Sequence, residues 1–137
     1  MKNTGIWLDK KVAYVISENM AGHQNVEIIF SKVEDYHIHG GSGTRFKGGP
    51  QDVVQDRKYL ERTKHQLRNY FKKITEHLMD SRQIVVFGPA ETGQKFKTEL
   101  DDNYPSLAAL ISDVATTDSM TKNQMKAWAR NYYATIH

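Results

Sequence analysis

Apolar positions along this chain change their period partway through. Gly5-Ile6-Trp7-Leu8 is a short apolar run, Asp9-Lys10 reads as a tight turn, and Val12-Ala13-Tyr14-Val15-Ile16 follows, closed by polar Ser17-Glu18-Asn19. Val26-Glu27-Ile28-Ile29-Phe30 has the same β-branched and aromatic character. Runs of this kind between turn residues read as strands, and three with short connections read as an antiparallel meander. From about Gln51 to Asp80 the period becomes helical. Leu60, Leu67, Phe71, Ile74 and Leu78 fall at i, i+7, i+11, i+14 and i+18, one stripe of a long amphipathic helix with Tyr70 near its edge.

The remainder alternates. Ile84-Val85-Val86-Phe87 is wholly apolar, the pattern of a strand buried on both faces. A helix is expected over about Thr92 to Asp102, blocked from continuing by Pro105. Leu107-Ala108-Ala109-Leu110-Ile111 reads as a further buried strand. Thr121 and Gln124 have capping-box spacing and open a last helix with Met125, Trp128, Ala129 and Tyr132 on one face. The order is βββαβαβα, and its βαβ unit implies parallel strands with a right-handed crossover. The expected fold is therefore α/β: a single domain over residues 1–137, with a mixed sheet of about five strands flanked by helices.

Composition narrows the chemistry. At 137 residues, 26% charged and 39% hydrophobic, the chain has the profile of one globular domain. It has no cysteine, which excludes disulfides, thiolate catalysis and cysteine-zinc sites. No apolar run approaches the roughly 18 residues of a membrane span, and Met1 to Gly5 leads into a strand pattern without an apolar leader, so a cytoplasmic protein is expected. The net charge of +3 is a mild bias, so the placement of charge matters more than its sum.

That placement is uneven. The segment Gly40 to Gly49 holds five of the nine glycines and carries Arg45, Phe46 and Lys47. It reads as a flexible loop, at about residues 37–50, ahead of a helix bearing Arg57, Lys58, Arg62, Lys64, Arg68, Lys72 and Lys73. Arg57, Lys64, Arg68 and Lys72 share one stripe beside the apolar face. Cations neutralise a phosphate backbone and Phe46 offers a ring on which a base can stack, the footprint of RNA binding. A solvated helix face behind a loop is the plainer reading, and Glu61 dilutes the basic charge.

Other constellations are weaker. Gly88-Pro89-Ala90-Glu91-Thr92 lies where a buried strand gives way to a helix, a position where α/β sheets bind ligands, although Gly-Pro also simply makes a turn and Glu91 repels phosphate. His37 and His39, near Asp35, supply only two imidazoles, short of a zinc site. Asp9, Glu61 and Asp113 are the acids a metal-dependent nuclease needs, if the fold gathers them. No Walker motif, nucleophile elbow or Ser/His/Asp arrangement is present.

Three places carry a resemblance: His39-Gly40-Gly41-Ser42-Gly43-Thr44-Arg45-Phe46 before the basic helix, Ile84 to Glu91 leading to Phe96-Lys97-Thr98-Glu99-Leu100, and the element order itself. Across nearly its whole length the chain resembles the middle domain of the eukaryotic and archaeal class 1 release factor and of Pelota, and the single-domain bacterial relatives described as translation-machinery-like. The resemblance implies a mixed sheet related to ribonuclease-H-like folds and a role on the ribosome. In the release factor a glutamine follows the two glycines and helps water attack peptidyl-tRNA. Here Ser42 follows Gly41, and Gln51 stands beyond Pro50, where the backbone geometry cannot match.

The expectation is thus a ribosome- or RNA-associated protein rather than an enzyme, with no catalytic residue, metal or cofactor. Its contact residues would be Gly40, Gly41, Ser42, Gly43, Arg45, Phe46, Lys47, Arg57, Arg62, Lys64 and Arg68. Gly88, Pro89 and Glu91 form a secondary ligand-turn candidate. A metal-dependent nuclease and a protein-interaction module or homodimer are the alternatives.

Overall fold

The computed structural model describes residues 2–32 and 50–135, with side chains for all of these except residues 50–59. Strands β1 (Lys2–Leu8), β2 (Val12–Glu18) and β3 (Gln24–Phe30) precede a long helix α1 (Pro50–Thr75). Strand β4 (Ser81–Gly88), helices α2 (Thr92–Asn103) and α3 (Pro105–Ala108), strand β5 (Ile111–Thr116) and helix α4 (Lys122–Thr135) complete the order. The strands form one mixed sheet in the order β3-β2-β1-β4-β5. The first three pair antiparallel, whereas β4 runs parallel to both β1 and β5.

Alternation along the strands sends side chains to two cores. On one face Ile6, Leu8, Val15, Ile84 and Val86 pack beneath α1 and α2, which contribute Tyr70, Phe71, Ile74, Phe96 and Leu100. Phe71 meets Phe96 edge-on, with ring centroids 5.3 Å apart. On the other face Trp7, Ile16 and Phe87 pack beneath Met125, Trp128 and Ala129 of α4. Gly5 is needed there because a Cβ would stand 2.8 Å from that of Ala129. The capping box forms as the spacing suggests: Gln124 Oε1 accepts from the Thr121 N–H at 2.8 Å, and Thr121 Oγ1 accepts from the Gln124 N–H at 3.2 Å.

Four expectations need correction. Residues Leu107 to Leu110 are not strand. Pro105, with its φ preset for a helix start, opens α3, and the strand begins only at β-branched Ile111. The resulting β5 is an edge strand with exposed Ser112 and Asp113, not one buried on both faces. Helix α1 ends at Thr75, whose hydroxyl donates to the Lys72 carbonyl, and Leu78 is buried from the turn that follows. On α4 it is Tyr133 that is buried, its hydroxyl donating to the Thr4 carbonyl at 2.8 Å, while Tyr132 stays half-buried and donates to Ser112.

Candidate nucleic-acid interface

Helix α1 is far longer than the sheet it crosses. Its 26 residues span about 39 Å, against about 23 Å for the seven residues of β1. Its direction follows from two anchors. Lys2, at the start of β1, donates to the His77 carbonyl just past the helix. Tyr70 donates its hydroxyl to the carbonyl of Asp9, just past the end of β1. The helix therefore runs antiparallel to β1 and is level with that strand's end by Tyr70, so its earlier residues reach beyond it.

Burial follows this geometry. Tyr70, expected at the edge of the stripe, is 1% exposed, and burial together with the Asp9 carboxylate holds its phenol well above the usual range. Leu67 is partly buried. Leu60, expected in the apolar stripe, is 56% exposed, and the Tyr70 anchor puts it beyond the end of β1.

The basic residues run from this overhang onto the packed part of the helix. Lys64, Arg68 and Lys72 are exposed and four residues apart, so they stand one above another along the helix. Arg62 is exposed as well and engages a neighbouring group. Glu61 is also exposed, three residues from Lys64. Arg68, Asn69 and Lys72 line one wall of an open groove of about 760 Å³, with Glu99, Asp102, Asn103 and Tyr104 on the other. The field is therefore mixed at the packed end of the stripe. The backbone of Arg57 lies within α1. Its side chain, and all of Gly40, Gly41, Ser42, Gly43, Arg45, Phe46, Lys47, His37 and His39, lie outside the described residues.

The Gly88-Pro89-Ala90-Glu91 turn has a structural cause. Gly88 has φ +146°, and a Cβ there would stand 2.4 Å from the Leu8 carbonyl oxygen. The glycine lets β4 end hard against β1, and its own carbonyl accepts the Thr117 N–H at 2.8 Å. Ala90 takes φ 57°, and Glu91 leads into α2 without a side-chain cap. The Glu91 side chain is exposed, placing a carboxylate at the helix start, where an anion would otherwise bind.

The acids of the nuclease alternative are not gathered. Asp9 closes the β1–β2 turn, its Oδ1 accepting the N–H groups of Lys11 and Val12 at 2.7 and 2.8 Å. Trp7, Phe87 and Ala115 are level across the sheet. Asp9 lies two residues beyond that line and Asp113 two before it, about 13 Å along the strands and about 10 Å across them. Glu61 precedes Tyr70, the residue that meets Asp9, by nine positions, about 13 Å along the axis. Two-metal chemistry needs ions about 4 Å apart between shared ligands. Among the described residues, no three His, Asp or Glu side chains are placed to hold a metal ion.

Sequence reading also missed a polar cleft of about 480 Å³ beyond the other end of the sheet, lined by Lys2, His23, Glu27, Glu76 and His77 among others. Its walls come from separate segments, so no local motif marks it. No helix among the described residues is long and apolar enough to cross a membrane.

No family model matches the chain, and no curated protein matches it. Among solved structures, the chain is similar to the crystal structure of the archaeal translation termination factor aRF1, at 12% identity and a TM-score of 0.56. The match covers 98% of this chain and 39% of that one, so the chain spans about two-fifths of the factor's length. At that identity the likeness is one of fold: a five-stranded mixed sheet flanked by helices, in a release-factor-like arrangement.

Proposed function

We propose that this protein is a cytoplasmic, translation-related factor of the release-factor middle-domain type. It associates with ribosomes or structured RNA through the overhanging part of α1 and the glycine-rich segment before it, and does not catalyse peptide release. The reading is carried by one observation: exposed Lys64, Arg68 and Lys72 lie in line on a helix that outruns its sheet. Cations on a projecting rod can enter the phosphate-lined surface of folded RNA without the rest of the domain colliding, and each phosphate they neutralise releases a counterion. The fold likeness to a translation termination factor supports the same reading. Ser42, in the position where the release factor has glutamine, supports the non-catalytic half.

Co-sedimentation with ribosomes on sucrose gradients, at low and physiological salt, tests this. Wild type is expected in the ribosomal fractions, and an Arg57/Lys64/Arg68→Glu variant at the top. With a structured RNA, the slope of log affinity against log salt is expected to fall by about 2 or more in the variant. Wild type left at the top of the gradient at both salts overturns the reading. Hydrolysis of peptidyl-tRNA above background overturns its non-catalytic half.

A further inference from the structure

The groove between α1 and α2 holds two charged walls, of which RNA phosphates use only one. Phe71 of α1 meets Phe96 of α2 at 5.3 Å between ring centroids, which fixes the two helices against each other there. Helical spacing then sets the walls. Arg68 and Lys72 stand on either side of Phe71 along α1, and Glu99 follows Phe96 by one turn of α2. At about 760 Å³ the groove has the size of a small-molecule site.

The walls are opposite in charge and do not pair. Among the described residues, the side chains of Arg68, Lys72 and Asp102 have no ion-pair or hydrogen-bond partner. Glu99 accepts from Asn103 Nδ2 through Oε2 at 2.8 Å, which orients its carboxylate and leaves Oε1 as an acceptor. Tyr104 closes α2, its N–H donating to the Leu100 carbonyl at 2.8 Å, and the half-buried side chain packs against the first core. A ring held in this way that also lines the groove is a stacking surface.

A ligand that satisfies both walls carries an anion at one end, N–H donors at the other and a flat body between. A nucleotide has that layout. Its phosphate suits Arg68 and Lys72, and its base suits Tyr104. The carboxylates repel the phosphate from their own side and accept from the base edge. Among the bases guanine fits them best. Its adjacent N1–H and N2–H donors match the two oxygens of one carboxylate. Adenine and cytosine place a ring-nitrogen acceptor beside their amino group, and uracil has one N–H between two carbonyls. The line of Lys64, Arg68 and Lys72 leads along α1 into the groove, so a strand tracking it by its phosphates brings a base there.

We infer that the α1–α2 groove binds one unpaired guanosine nucleotide, with Arg68 and Lys72 on the phosphate, Asp102 and Glu99 on the Watson–Crick edge, and Tyr104 against the ring. The inference rests on the RNA association proposed above and gives that association a base preference.

The test titrates the isotopically labelled full chain with 5′-GMP and follows backbone amide signals by NMR. GMP is expected to shift Asn69, Asp102, Asn103 and Tyr104 saturably, with a Kd of about 1 mM. 5′-AMP, which keeps the phosphate and a stacking ring, is expected to bind at least about tenfold more weakly, as is inorganic phosphate. Glu99→Gln/Asp102→Asn is expected to bring GMP and AMP within about twofold of each other. Arg68→Gln/Lys72→Gln is expected to weaken GMP about tenfold, to the level of guanosine. Dispersed spectra report that both variants remain folded. Absence of saturable shifts, equal binding of AMP, or a GMP preference that survives loss of both carboxylates overturns the inference. So does inorganic phosphate shifting the same signals as strongly, which would make the groove a general anion contact. A mononucleotide needs no ribosome, so a failed gradient with GMP binding intact overturns the proposed function and not this site. A failed titration with ribosome binding intact does the reverse.

Discussion

From Leu67 to Thr75, α1 lies on the sheet and buries Tyr70, Phe71 and Ile74. From Leu60 to Lys64 the same helix continues the pattern, yet Leu60 remains more than half exposed, as are charged Glu61, Arg62 and Lys64 beside it. Both stretches lie in one amphipathic pattern, but the sheet lies beneath only the first. Periodicity reports what a segment can bury, whereas the length of the partner surface decides what it does bury. The anchored stretch supplies stability, and the overhang is free to carry charge without cost to the core.

The sharpest way to break this contrast is in the anchored half. Phe71 touches Tyr70 at 5.6 Å and Phe96 at 5.3 Å between centroids. Phe71→Ala is expected to lose about 3–5 kcal/mol in urea unfolding. A loss below about 1 kcal/mol would mean that this half is not anchored.

Tyr70→Phe is a smaller change at the point where the helix meets the end of β1. Removing the hydroxyl that donates to Asp9 is expected to cost about 1 kcal/mol at neutral pH. It also has a pH signature. Burial raises the Tyr70 phenol above its ordinary 10.0, with the Asp9 carboxylate adding to the effect. Burial likewise raises Tyr133, with Tyr132 second. Below about pH 10 these phenols are protonated in both folded and unfolded chains and add no pH dependence. Above it, the unfolded chain ionises first and binds fewer protons, so stability falls as pH rises, by up to about 1.4 kcal/mol per pH unit for each tyrosine. Unfolding free energies measured from pH 9 to 11 are expected to decline less steeply in Tyr70→Phe. Equal slopes would contradict the burial of this phenol in the folded protein.

The mildest expected effect is in the overhang. Leu60→Ala should change stability by no more than about 0.5 kcal/mol. A larger loss would mean that this part of the helix has a partner surface after all, and would erase the contrast.

Much of the fold was legible in the sequence because β-branched runs and a single long helical period leave few alternatives. The meander, the αβ alternation and the Thr121–Gln124 cap follow from residues close together in the chain. The misreadings have physical causes. Leu107 to Leu110 is apolar but not β-branched, and the preset φ of Pro105 favoured a helical turn. Leu60 fits the stripe, but its exposure depends on where β1 ends, which no local pattern encodes. The basic line of Lys64, Arg68 and Lys72 was legible because helical spacing alone creates it. The acids of α2 facing Arg68 and Lys72 were not, because that groove arises only when the two helices pack.

The mismatch between a long helix and a short sheet also has a mechanical side. A stiff rod clamped at one end amplifies rotation into displacement. Pro50 lies 17 residues ahead of Leu67, about 26 Å along the axis. A tilt of about 10° at the clamp would swing the free end by about 4–5 Å, close to the spacing of neighbouring strands. Small repacking around Tyr70 and Phe71 therefore has its largest consequence at the far tip of α1, where the glycine-rich segment joins the helix.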